Sequence, residues 1–195
     1  MDIYKRPENI DANVVENLGP LAPLAGIWEG DKGIDIAPTK DGPVSTEFRE
    51  RIVLEPMGPV VNGPQLLYGL RYSTTAWPLG SDDAFHEEVG YWLWDPREEL
   101  AMRYFIVPRG VAVAAGAKCA PDARKFDMRA DIGSNTFGIL SNPFLDVAFR
   151  TVAYRLNVEV FGDNSFSYAE DTQIELNGNE DVFHHTDENR LTRVG

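Results

Sequence analysis

The sequence is short of cysteine, of basic charge and of long apolar runs, and each shortage removes a class of function. A single cysteine, Cys119, stands among 195 residues, so there is neither an internal disulfide framework nor a cysteine-rich metal site. Lysine and arginine number 18 against 31 aspartates and glutamates, a formal charge of -13. That balance argues against nucleic acid, because phosphate binding by counterion release needs clustered cations, and equally against an anionic membrane surface. Its plain meaning is solubility. No stretch approaches the ~20 apolar residues that span a bilayer. The opening "MDIYKRPENIDANVVENLGP" lacks the apolar segment of a secretory signal, so an intracellular, cytoplasmic protein is expected. No serine sits in a Gly-x-Ser-x-Gly setting, and nothing beside Cys119 supplies the base that a catalytic thiol needs. Cys119 reads instead as the end of a strand.

Helical periodicity is scarce too, and what replaces it is alternation. In "TVAYRLNVEVF", Val152, Tyr154, Leu156, Val158 and Val160 alternate with Thr151, Ala153, Arg155, Asn157 and Glu159, the period of a half-buried strand. The same period runs through "STEFRERIVL", "QLLYGLRYST", "FHEEVGYWLW", "LAMRYFIV", "GVAVAAGAK" and "SFSYAEDTQIEL". Turn chemistry separates the runs, as at Asp95-Pro96, Gly162-Asp163-Asn164 and Asn177-Gly178-Asn179, and short turns of this kind join antiparallel neighbours. With "GIWEGDKGIDI", "RKFDMRADI" and "VFHHTDENRLTRV" the chain holds about ten strands. So many strands must manage their edges, and closure removes edges altogether. The expected fold is all-β: one up-and-down antiparallel barrel over residues 1–195, lipocalin-like or fatty-acid-binding-protein-like, with residues 1–20 as an extension packed on it. Short helical pieces are expected near Asn13–Leu18 and in "SNPFLDVAF".

A barrel of this size can hold one small ligand. The small residues of "GVAVAAGA" leave room on one wall, for a pocket or for the close approach of packed neighbours. The stretch "LAPLAGIWEGDKGIDI" sets Trp28 between Gly26 and Gly30, with Gly33 behind. Glycine inside a strand marks a bulge, a barrel corner or a close approach. A tryptophan plugging one end of the barrel, with glycines permitting the sharp bend, accounts for the run, and Gly30 is expected where a side chain would meet neighbouring backbone or Trp28.

"PLAGIWEGDKG", "HEEVGYWLW" followed by "AMRYFIVPRGVAVAAG", and the terminal "FHHTDENRLTRV" resemble, in that order, the opening, middle and last strands of the nitrobindin family. Lys32 stands where that family's opening motif has a third glycine, which arrives here at Gly33. The resemblance implies a haem-binding barrel with haem b as cofactor, ligated by a histidine at the start of the last strand. It extends to handling of nitric oxide or peroxynitrite and, if the protein is an enzyme, to a peroxynitrite isomerase-like activity.

His184 and His185 are adjacent, so on a strand only one faces the interior. The parity that His185 shares with Phe183 and Leu191 points to His185 as the ligand of the haem iron, with His184 taking the role if the register slips by one. Trp28, Gly30 and His86 complete the expected cofactor environment. His86 with Glu87 and Glu88 suggests a metal site at first sight, but strand alternation sends Glu87 to the other face. Hydrogen bonding at the barrel rim is then the expectation, with His86 able to approach a ligand from the side. The barrels of fatty-acid carriers hold a ligand carboxylate with arginine and tyrosine from the last strands, and Arg193 with Tyr154 is the pair that this suggests. Three readings follow: a haem-binding barrel, a metal-free carrier or sensor of a fatty-acid-like or other small apolar ligand, and a filled barrel acting through its surface. The partner in the first two is a small molecule, and the chain is expected as a monomer or homodimer.

Overall fold

The period-two runs pair with their chain neighbours almost throughout, and the computed structural model describes the result for residues 2–195. The strands are β1 (Gly26–Thr39), β2 (Gly42–Asn62), β3 (Gln65–Pro78), β4 (His86–Asp95), β5 (Leu100–Val107), β6 (Val111–Lys118), β7 (Lys125–Asp131), β8 (Ile139–Ser141), β9 (Phe149–Val160), β10 (Ser165–Leu176) and β11 (Val182–Arg193). All pairings are antiparallel, and β1 meets β11, so ten strands close into a barrel while the three residues of β8 lie beside β6. The expected all-β barrel is therefore present. The seam between β6 and β7 is the weakest, held by the single pair Gly116–Arg129. The segment "SNPFLDVAF" does turn once as a helix, α1 (Pro143–Ala148), with the Asn142 side chain accepting from the Leu145 N–H at 3.0 Å as its N-cap. No helix among the described residues is long and apolar enough to cross a membrane.

One end of the barrel is closed by the chain's own start. Two short 3-10 turns, Val15–Asn17 and Gly19–Leu24, replace the helical piece expected near Asn13–Leu18. They drive Leu18, Leu21 and Leu24 to complete burial under the barrel. Trp28 meets them from β1. It is buried, its indole N–H donates to the Leu24 carbonyl at 2.7 Å, and its ring packs edge-on to Phe166 at 4.8 Å. Burying a side chain of this size removes some 150–250 Å² of apolar surface from water, and the N–H is satisfied while doing so.

The glycines beside Trp28 sit where β1 changes register against both neighbours, between Gly30 and Gly33 towards β2 and between Glu29 and Ile34 towards β11. A Cβ on Gly30 would lie 2.7 Å from the Arg190 carbonyl oxygen and 2.9 Å from the Asn189 side-chain oxygen of β11. The close neighbour is thus the last strand and not Trp28 itself. Gly33 is filled from the other side by the Phe48 ring.

One stretch of alternation breaks. Val152 is the extra residue of a bulge where β9 slips against β10 between Gln173 and Ile174. Above it Thr151, read from the sequence as outward, is 4% exposed and faces the interior. A bulge of one residue reverses every side chain beyond it, and nothing in the apolar pattern announces it. The small residues of β6 serve both expected ends: Val111 and Val113 line the interior, whereas Gly116 lets the Phe137 ring lie against the outer face.

Gly30→Val is expected to destabilise the fold by about 1–3 kcal/mol, the usual cost of overpacking, because the backbone of β11 cannot yield as a flexible side chain would. Chemical denaturation of the two proteins measures it, and equal midpoints would show that the close approach is relaxed in solution.

Candidate functional site

The inward rows of the strands enclose a cavity of about 860 Å³. It spans the barrel from above the Trp28 plug to the opposite, open end, and its lining falls into two storeys. At the mouth the wall is largely apolar, with Phe48, Phe85, Phe149, Ile174, Val107 and Val111, and carries His185 from β11 and His86 from β4. Below, the lining is polar and charged: Asp35, Glu50, Glu88, Glu170 and Asp187 face Arg103, Tyr72, Tyr154 and Tyr168.

Arg103 anchors the lower storey. It is 5% exposed and stands on β5 among four aromatic rings, with its guanidinium carbon 4.5 Å from the Phe105 centroid and 5.2 Å from those of Tyr72 and Trp92. Its Nη2 pairs with the Glu88 carboxylate at 2.5 Å and its Nη1 with Glu170 and the Tyr154 hydroxyl, while Nε donates to the Tyr72 hydroxyl at 3.2 Å. Tyr72 in turn donates to Glu88 at 2.7 Å. A buried charge is tolerated only when paired and hydrogen-bonded, and this one is both. Burial favours the neutral form of Glu88, but Arg103, helped by His86 and Tyr72, overrides it and holds the carboxyl at about 2. His86 contacts Glu88 at 3.2 Å; burial lowers its pKa, and the carboxylate outweighs this to raise it above the ordinary histidine value.

Glu50 is the second buried centre. It accepts from Thr74 at 2.8 Å, Tyr168 at 2.9 Å and Asn189 at 3.2 Å, and none of the described residues pairs a cation with it. Burial pushes its carboxyl up to about 7 in spite of those donors. Asp187 is raised well above the ordinary carboxylate range, first by burial and then by the charges of Glu170, Glu50, Glu88 and Asp35. The Trp92 indole N–H is the one buried side-chain polar atom without a partner among the described residues, and it stands in this lower wall, where a bound molecule or water would find it.

His185 faces the cavity, and His184 lies on the outer surface, bonded to Asp171 at 2.9 Å. His185 Nε2 holds the carboxylate of Asp35, a buried residue of β1, at 2.7 Å. A ring nitrogen held by a carboxylate is an arrangement common around metal-bound imidazoles. His86 and Glu88 share the interior face as alternation requires, and His/Cys/Asp/Glu groups able to hold a bare metal ion are absent among the described residues. Trp28 and Gly30 belong to the closed end and do not line the cavity.

The pairing of Arg193 with Tyr154 is not formed. Arg193 lies at the closed end, stacked over the Trp28 ring at 4.3 Å and donating to the carbonyls of Pro23 and Ala25. Tyr154 is instead held by Arg103. The sequence reading did not single out Arg103, Glu50, Glu170, Asp187 or Asp35. A signal was available in alternation: Arg103 occupies an inward position of "LAMRYFIV" and Glu50 one of "STEFRERIVL", and a charge on an apolar row marks a buried network.

Glu50 makes stability depend on pH. Its folded value near 7 lies above the unfolded value of 4.5, so the folded state keeps a proton that the unfolded state releases. Its contribution is complete below pH 4.5, falls as pH rises to 7 and is lost above, a change of about 3 kcal/mol. Glu50→Gln is expected to flatten the fall in unfolding free energy between pH 4.5 and pH 8 by that order, measured by urea denaturation across the range. An unchanged slope would show that Glu50 is ionised throughout.

Comparison with known proteins places these features in a family. A family model described as THAP4-like, heme-binding beta-barrel domain matches residues 17–193. No curated protein matches the sequence. Among solved structures, Rv2717c from M. tuberculosis superposes with a TM-score of 0.68 at 19% identity, covering 94% of this chain and 99% of that one, a likeness of fold. The resemblance to nitrobindin drawn from the sequence agrees with both findings. The barrel, its closed end and its histidine-bearing mouth are those of a chain that belongs to the THAP4-like, heme-binding beta-barrel domain family.

Proposed function

We propose that the protein binds haem b in the mouth of the barrel, with His185 as the axial ligand of the iron. The observation that carries this reading is the position of His185: inward on the last strand, lining a cavity with apolar walls above it, and with one ring nitrogen fixed on Asp35. The donor set suits the group. A neutral imidazole is a familiar axial ligand, the volume of about 860 Å³ lies within the range of cofactor pockets, and Phe48, Phe85, Phe149 and Ile174 offer apolar contact. When bound, the iron supplies one further coordination position for a small reactive ligand, nitric oxide or peroxynitrite by the family resemblance.

The remaining work falls to the chain's own side chains. Asp35 orients His185. Arg109, which lines the rim, is the residue that would hold the propionates of a bound haem. His86, whose pKa the Glu88 carboxylate raises, stands on the mouth wall and can approach a ligand from the side.

Hemin titration followed by absorbance tests the assignment. A Soret shift is expected for the wild type and for His184→Ala, and its loss or a binding constant weaker by 10-fold or more for His185→Ala. A shift retained in His185→Ala and lost in His184→Ala would move the ligand to the outer face and overturn the reading. No shift in wild type would sink haem binding altogether and leave the metal-free carrier ahead.

A further inference from the structure

The lower storey of the cavity has a chemistry of its own, independent of any haem at the mouth. Its lining brings five carboxylates, Asp35, Glu50, Glu88, Glu170 and Asp187, to one interior with a single buried guanidinium, and no lysine lines it among the described residues. Arg103 and Tyr154 together form what a ligand carboxylate would use: a planar fork of donors with a hydroxyl beside it, inside an apolar barrel. In this chain the place is taken. The Glu170 carboxylate from β10 accepts from Nη1 beside the Tyr154 hydroxyl, and the Glu88 carboxylate from β4 accepts from Nη2. The Nε is bound to Tyr72, and the guanidinium sits among four aromatic rings.

We infer that Glu170 and Glu88 are specificity-determining residues, which occupy the Arg103 fork as built-in counter-ions and so close the lower storey of the cavity to a ligand's carboxylate while leaving it open to neutral and cationic headgroups.

Two physical facts support this. An entering anion would have to displace a carboxylate that is tethered to the wall and already desolvated, so it cannot compete by concentration alone. It would also enter beside Glu50 and Asp187, where burial already disfavours negative charge, so that one more uncompensated anion adds to the cost. The five carboxylates come from β1, β2, β4, β10 and β11, so half of the barrel's ten strands present an acidic group to an entering anion. Removing Glu170 is different in kind from removing Glu88: it empties the position on Nη1 beside the Tyr154 hydroxyl, and a ligand carboxylate can then replace the missing one.

Decanoate, decan-1-ol and decylamine have one chain length and three headgroups, and each can be titrated into the full chain without hemin, read through tryptophan fluorescence because Trp92 lines the cavity. In the wild type, decanol and decylamine are expected to bind at least tenfold more tightly than decanoate. Glu170→Ala is expected to gain at least tenfold for decanoate with little change for decanol, and Glu170→Gln, which fills the same space, to gain less. Wild-type binding of decanoate equal to that of decanol, or of none of the three, overturns the inference, and so does a folded Glu170→Ala without the gain. Should Glu170→Ala fail to fold, the wild-type comparison alone decides. Because no hemin is present, failure here leaves the Soret test of His185 standing, and failure of that test leaves this one standing.

Discussion

A guanidinium held out of water must find its partners inside, and Arg103 finds them on both sides of the barrel. Tyr72 on β3 and Glu88 on β4 stand beside it, while Tyr154 on β9 and Glu170 on β10 reach it from across the interior. Adjacent barrel strands are already joined by backbone hydrogen bonds, so side chains that pair neighbours add little to the architecture. Side chains that pair opposite walls do more, because they set how far apart the walls stand. The weakest seam, between β6 and β7, lies on the wall next to β5, so a cross-barrel tie from β5 to β9 and β10 spans the region where the ladder has least to offer.

The same tie explains why the interior is not simply filled. Below it, Trp28, Phe166 and the leucines of the N-terminal turns form a dry plug, and Arg193 seals that plug from outside by bonding two backbone carbonyls. Above it, the mouth is apolar and carries the two inward histidines. Polar groups that must stay partnered cannot collapse onto each other as leucines would, and the volume between plug and mouth persists as a cavity. The acid surplus around Arg103 has a consequence for protons. Glu88 is held ionised by the cation, whereas Glu50 and Asp187, which lack one, are driven towards their neutral forms. The interior thus combines a fixed ion pair with carboxyls that burial disposes to keep their protons.

The sequence by itself determined the strands, their order and their closure, because apolar alternation and short turns are local signals, and a meander of ten strands has few ways to remove its edges. It determined that Trp28 is buried at a glycine-marked bend, and parity along the last strand pointed to His185, but the register that turns His185 and not His184 into the cavity was set by the structure. It marked the terminal histidine strand and the family. Only the tertiary structure decided which residues meet. Arg193 and Tyr154 are both on late strands, but one belongs to the plug and the other to the lower storey, and their distance along the barrel axis is invisible in a one-dimensional pattern. The bulge at Val152 reversed Thr151 with no apolar residue out of place. The partnership of Arg103 with Glu88, Tyr154 and Glu170 joins residues 15, 51 and 67 positions apart, and the pairing of His185 with Asp35 spans 150. Such contacts exist only when the barrel closes, because closure is what turns six separate inward rows into one shared interior.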